Sequence, residues 1–229
     1  MCSKTLMKTL SAVVVAAGVT SGLAQDLQPI KLPEPEKEGG KSLLEALRDR
    51  RTTRSISPKP LPLQTLSTLL WAACGVNREQ GAFGKPGRTA PSASNSQEID
   101  LYVALPEGVY LYEAVPHQLT PVVAGDHRGR AGRRGAEGAP INLFYVVDRR
   151  RYDQGPGQPD RSIGDPEVQK SYYYTDTGSI AQNVYLFAAA QGLAAWFHNC
   201  DRENAAKELH LRPEQLVLFA QSVGFPTEK

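Results

Sequence analysis

Cysteine is scarce, three in 229 residues, and only Cys74 and Cys200 lie beyond the extreme N-terminus. Two thiols can bridge in an oxidising compartment, but they are no disulfide framework. The four histidines fall in no HExxH and near no CxxC, which argues against a structural zinc site. Charge of one sign is not in excess either: 26 Lys and Arg face 24 Asp and Glu. A balance so close to neutral lacks the basic footprint of a nucleic-acid binder. No GxGxxG stands at a strand–helix junction and no GxSxG occurs, so a Rossmann dinucleotide site and a hydrolase nucleophile elbow are excluded. The Gly-rich "GDHRGRAGRRG" lacks the Lys-Ser/Thr ending that a phosphate-cradling loop needs.

Long apolar runs are also missing. The best candidate, "LSAVVVAAGVTSGLA", is about 15 residues long, short of the roughly 20 needed to cross a bilayer. It follows Lys4 and Lys8 and ends in small residues before Gln25, the layout of a secretory signal peptide. Residues 1–24 are therefore expected to be removed on export, with an uncleaved amphipathic anchor as the alternative. The mature chain is expected to work in the periplasm or outside the cell, without stable membrane insertion. Loss of Lys4 and Lys8 leaves 24 basic against 24 acidic residues.

What is present reads as one domain behind an extended arm. Residues 25–41, "QDLQPIKLPEPEKEGGK", are rich in Pro and Glu and without apolar period, so the arm is ordered only where it lies on a body or a partner. Residues 42–229 carry the fold. Ser42 and Glu45 form a capping-box signature, and Leu43, Leu44 and Leu47 give a helix to about Arg50 an apolar stripe. A second helix runs from Pro62 to Gly75. Residues 76–98 have no period and read as loop. "IDLYVAL" and "VYLYEA" read as a hairpin around "PEG", and "INLFYVVD" as a strand buried on both faces. A helix is expected from about Thr177 to Gln191, a short strand at "LAAWFHN", a helix capped by Asp201, and a final strand at "EQLVLFAQSVG". The sum is an α+β fold, a mostly antiparallel sheet flanked by helices.

Two stretches carry candidate chemistry. "RDRRTTR", Arg48 to Arg54, sits where the first helix gives way to a turn. Its arginines can simply complete the helix dipole, or its guanidiniums and hydroxyls together can grip a phosphate. "GRTAPSASNS" offers Ser92, Ser94 and Asn95 behind the stiffening Pro91, either as an ordinary turn or as contacts to a polar ring edge. His198 and Cys200 lie between an apolar strand and a helix cap, as core-edge side chains or as pocket lining, and Cys200 suits a small buried hydrophobe better than a nucleophile. Tyr172, Tyr173 and Tyr174 suit a pocket wall or a subunit seam.

Taken in order, "LRDRRTTRSIS", "LPLQTLSTLLWAACGVN", "GRTAPSASNSQEIDLYVAL", "EGVYLYEAVPHQL", "APINLFYVVD", "DTGSIAQNVYLFAAAQGLAAWF" and "LVLFAQSVGFP" resemble the FMN-dependent nitroreductase family, particularly its SagB-type dehydrogenase branch. The likeness covers nearly all of Lys41 to Pro226. It implies a nitroreductase-like sandwich assembled as an intertwined homodimer, with FMN at the interface and a small molecule as substrate. The family's Arg-Arg-Ser-x-Arg pattern matches Arg50, Arg51, Thr52 and Arg54, which implies a clamp for the phosphate and ribityl chain. Pro91, Ser92 and Asn95 match its Pro-Ser-Ala-x-Asn stretch, expected to reach the flavin from the other subunit. Gln182 falls on the central helix, and His198, Asn199 and Cys200 fall where backbone donors approach flavin N5. Hydride would pass through N5, with the protein supplying position and charge; Arg54 and Asn95 are the groups suggested for the field near the ring. A basic residue that many members carry beyond the final strand has no counterpart, and Arg88 is the suggested substitute. The bulky Trp196, Phe197 and His198 imply a narrowed pocket, and export implies a donor other than cytosolic NAD(P)H. The alternative is a dimer of the same fold that holds flavin or another ligand without turnover.

Overall fold

The computed structural model describes residues 27–131, 136, 138–152 and 161–227; the leader-like residues 1–24 lie outside it. The densest apolar run of the chain lies deepest. Every residue of β7 (Ile141–Asp148) is buried, because helices cover both faces of the sheet to which it belongs. Its neighbours are β4 (Ile99–Leu105) and β9 (Gln215–Gly224), both antiparallel to it. Outward from β4 come β5 (Gly108–Glu113), β6 (Gln118–Ala124) and the two-residue β1 (Ile30–Lys31); outward from β9 comes β8 (Ala194–His198). The order β1-β6-β5-β4-β7-β9-β8 is antiparallel at every pairing.

Helices α2 (Leu63–Cys74) and α3 (Pro166–Ala190) supply one covering layer, where Leu69, Leu70 and Val184 meet Val103 and Leu119 with no exposed surface. The short α4 (Arg202–Glu208), capped by Asp201 as its sequence suggests, covers the other face over Phe144, Val146 and Ala220. The capping box of Ser42 and Glu45 starts α1 (Leu43–Asp49), a feature worth about 1 kcal/mol. Yet Leu43, Leu44 and Leu47 are 63%, 77% and 47% exposed, and only Ala46 is buried. The apolar stripe of α1 faces outward from its own chain.

Three details differ from the sequence expectation, and the arm is ordered on the body. β6 escapes it because Pro121 interrupts the alternation and the strand bulges next to Tyr110. α3 begins at Pro166 rather than near Thr177: Asp165 accepts the Glu167 N–H as N-cap, and Pro166 takes the first position, where a missing N–H costs nothing. The tyrosine triplet is therefore helical, with Tyr173 buried and Tyr174 edge-on to Phe219. Residues 76–98 contain a small ribbon, β2 (Val76–Arg78) against β3 (Gly87–Arg88), and two 3-10 turns. The arm is tied to the body: β1 pairs with β6, Ser67 donates to the Pro33 carbonyl, and Gln64 donates to that of Glu34 at 2.8 Å.

Both cysteines are free thiols. Cys74 packs in the core beneath α2 and α3, and Cys200 in the core beneath α4, so the sheet lies between them. Burial pushes the Cys74 thiol up to about 12 and that of Cys200 up to about 11, which suits small buried hydrophobes and no nucleophile. Among the described residues no helix is long and apolar enough to cross a membrane.

Candidate functional site

After α1 the chain turns extended at Arg50, and two β-branched threonines followed by Pro58, Pro60 and Pro62 keep it so. This segment runs beside β8, the open edge of the sheet. Thr53 N–H donates to the Ala195 carbonyl at 2.9 Å, Ser57 N–H to that of Phe225 at 2.8 Å, and Thr227 N–H to that of Ser55 at 3.1 Å. The arginine run thus covers a sheet edge, and its side chains stand over a groove between α1, the end of α3 and the end of β9. The groove holds about 810 Å3 and is lined in part by Arg50, Arg51, Thr53, Ser55, Tyr185 and Gly192. Gly192 ends α3 in the left-handed region, φ +68°, a conformation that suits glycine.

The groove is cationic because its acid is already neutralised. Asp49 bonds Arg48 at 3.0 Å and Lys41 at 2.8 Å, and these two partners hold its carboxyl down at about 2. Arg50, Arg51 and Arg54 have no carboxylate partner among the described residues. Two of them lie on aromatic faces instead, Arg50 at 5.5 Å from the Tyr185 ring centre and Arg54 at 5.5 Å from that of Trp196. The Tyr185 hydroxyl accepts the Phe197 N–H at 2.8 Å and lies 3.0 Å from Thr52 Oγ1. When Tyr185 gives its proton to Thr52, the threonine hydrogen is left to point at an anion.

The Ser/Asn loop lies elsewhere in the chain. Pro91, Ser92 and Asn95 border a separate recess of about 510 Å3, together with Asn77, Phe83 and Arg88. Ser92 Oγ accepts the Gln97 N–H at 3.0 Å, and Asn95 Nδ2 donates to the Ala82 carbonyl at 2.9 Å. Ala93 N–H reaches Asp176 on α3, whereas the arginine groove meets α3 at Tyr185, nine positions later. At 1.5 Å per residue the two halves are offset by about 13 Å along the helix. Arg88 is likewise not brought to the groove within one chain: it donates to Gln97 Oε1 at 2.9 Å and to the Cys74 carbonyl at 3.1 Å, bracing the loop.

Of the remaining expected residues, Gln182 is exposed on α3, and its neighbour Asn183 is the one that ties helices together, through the Ala73 and Thr89 carbonyls. His198 is buried at the end of β8. Its Nδ1 meets the Asn199 carbonyl at 2.7 Å, its Nε2 meets Ser222 Oγ at 3.1 Å, and Trp196 lies beside it at 4.6 Å between ring centres. Asn199 is exposed and accepts from Arg202 at 3.1 Å. Tyr185 had no advance signal beyond its place among the apolar residues of a helix. Glu98 and Asp176, two buried acids, had none either, since nothing local marks a carboxyl that tertiary packing will enclose.

The profile of the nitroreductase family matches residues 47–225 of this chain. The chain belongs to the nitroreductase family. A crystal structure from Ralstonia eutropha JMP134, of a protein provisionally named a nitroreductase, is 35% identical, spans 91% of this chain and 93% of its own, and superposes with a TM-score of 0.78. A relative from Methanocaldococcus jannaschii with the same provisional name is 29% identical over 210 residues, 87% of this chain and 97% of the relative. The NADPH:FMN oxidoreductase of Vibrio harveyi, solved with NAD+, shares the fold alone: 19% identity, TM-score 0.56, 81% of this chain and 69% of that one. Nitroreductases are oxidoreductases that in general use flavin.

Proposed function

We propose that this nitroreductase binds FMN in the arginine groove and, as a homodimer, passes hydride between a donor and a small organic acceptor. The carrying observation is the pair of guanidiniums without carboxylate partners, Arg50 and Arg51, that line a groove of about 810 Å3, within the size range of small-molecule and cofactor sites, with Arg54 next along the segment. The donor set fits a phosphate monoester: Arg50 and Arg51 offer forked N–H donors, and Thr52, Thr53 and Ser55 offer short hydroxyls. Arg54, held against Trp196, is suited to place positive charge near the ring system. Flavin, when bound, supplies the hydride chemistry at N5; the chain's own residues bind, orient and exclude water.

Two observations support a second copy in the site. The Ser92–Asn95 loop and the arginine groove are offset by nine positions along α3 and border separate recesses, so a second copy's loop can complete the groove. The leucines of α1, adjacent to the groove, stand exposed. A partner that covers Leu43, Leu44 and Leu47 would bury apolar surface and deliver its own loop. The leader-like residues 1–24 support an exported site of action, which places a donor other than free NAD(P)H in this reading.

The visible spectrum of the purified protein tests the proposal. Oxidised-flavin bands that bleach with dithionite are expected, with FMN released on denaturation. Failure to bind added FMN would sink the reading. Bleaching by NADH or NADPH would leave the flavin assignment standing and refute the expected donor. N-terminal sequencing of exported protein should begin near Gln25.

A further inference from the structure

Beneath the Ser/Asn loop lies a small cavity of about 40 Å3, room for a water or two, bordered by Glu98, Asp100 and Asp176 and by Arg88 and Arg151. Two of these acids hold the loop. Asp176 Oδ2 accepts the Ala93 N–H at 3.1 Å, and Glu98 Oε2 accepts the Ser96 hydroxyl. The loop between those points is conformationally costly. Ser94, Asn95 and Gln97 all sit in the left-handed region, at φ +49°, +50° and +55°, where residues with a Cβ are uncommon. Something must over-determine that geometry, and the buried acids grip it from both ends.

The pair is itself incomplete as two carboxylates. Glu98 has no exposed surface and its Oε1 has no hydrogen-bond partner among the described residues, a costly state for a buried oxygen. Asp176, 6% exposed, faces it from α3. Arg151 bonds Asp100 and the Gln97 carbonyl, and Arg88 bonds Gln97 and the Cys74 carbonyl. The Tyr152 hydroxyl approaches Glu98 from the turn after β7, and Lys85 approaches through the Ser96 carbonyl.

We propose that Glu98 and Asp176 share one proton and act as the positioning pair that clamps the Ser92–Asn95 loop in its flavin-contacting shape. With one proton between them, neither oxygen need stand bare and like charges do not face each other. Without it, two buried anions repel at the two anchor points of a strained loop. Burial, and then the charge of Glu98, push the Asp176 carboxyl up to about 7, which sets the range in which the clamp loosens. The inference rests on the flavin reading for its ligand but on the chain alone for its proton.

Affinity for FMN, read from the quenching of flavin fluorescence, tests it together with the melting temperature of the apoprotein, each followed with pH. A carboxyl whose folded value is raised stabilises the fold fully below its unfolded value of about 4 and loses that contribution as pH climbs to about 7, levelling above. The wild-type melting temperature should therefore carry a downward component between these limits that Asp176→Asn lacks, since the amide cannot lose the proton. The asparagine keeps an acceptor for Ala93 N–H and turns its NH2 to Glu98 Oε1. FMN affinity of the wild type should weaken as pH rises above 7, by up to about tenfold per unit, while Asp176→Asn changes far less; titration of the FMN phosphate is common to both. Glu98→Gln should flatten the profile in the same way. Parallel pH profiles for wild type and Asp176→Asn, in both measurements, would overturn the proposal. If no form binds FMN, the flavin reading fails by itself, and the apoprotein melting profiles still decide whether the proton is shared.

Discussion

The hydroxyls of Thr52 and Tyr185 lie 3.0 Å apart across 133 residues of sequence, and the same tyrosine oxygen accepts the Phe197 N–H at 2.8 Å. One phenol thereby ties the arginine segment, the central helix and the edge strand together. Tyr185→Phe strands the Phe197 N–H and releases Thr52. The expected cost is about 1–3 kcal/mol of stability, seen as an earlier unfolding midpoint in urea at unchanged slope, with weaker FMN binding.

Arg51 and Arg54 are exposed and engage no carboxylate, so Arg51→Ala with Arg54→Ala should leave the fold intact. Surface changes of this kind typically cost within about 0.5 kcal/mol. The flavin site should nevertheless empty, and protein purified with full FMN occupancy would contradict the clamp.

A charge on the exposed face of α1 discriminates the dimer reading. Leu44, 77% exposed, contributes little to its own chain's core. Leu44→Glu should leave the monomer's circular dichroism unchanged while halving the mass seen by sedimentation, and FMN should be lost with the dimer.

His117 links the arm to the body: its Nε2 meets Ser67 Oγ at 2.7 Å, its Nδ1 meets the Tyr112 hydroxyl at 3.0 Å, and Ser67 passes its own proton to the Pro33 carbonyl. The chain of donors is consistent with a neutral ring protonated on Nε2. Burial lowers the His117 pKa, with Glu34 opposing. The folded state then holds fewer protons than the unfolded, so stability should fall as pH drops below the unfolded value of about 6.5. His117→Gln should remove that component from the melting temperature between pH 7 and 5 and leave the arm open to protease at both.

Half-buried, weakly acidic thiols should react slowly. Cys74 and Cys200, raised to about 12 and about 11, are expected to titrate with an aromatic disulfide reagent at pH 8 only after unfolding. Rapid modification with loss of oxidoreductase activity would assign one of them a role denied here.

The sequence determined most of the secondary structure and the location of the arginine segment, because these depend on local rules. A capping box, a double-faced apolar run and a helix stop can be read within a few residues of where they act. It also carried the family, since an ordered series of short stretches survives substitution at each. It misplaced the start of α3, whose Asp165–Pro166 cap was legible but stood beside a Gly- and Pro-rich run. The unbalanced charge of Arg50, Arg51 and Arg54 was beyond it, because which guanidinium meets an acid depends on what the fold brings within 4 Å. Lys41 and Arg48 take Asp49, and the next three are left over. So too with Tyr185, which reads as one more core residue until the edge strand lies against it. Glu98 and Asp176 follow the same logic: each is an ordinary acid in the chain, and only enclosure by β4, α3 and the loop makes their charge expensive. Local propensity is written residue by residue, whereas desolvation and pairing belong to the assembled fold.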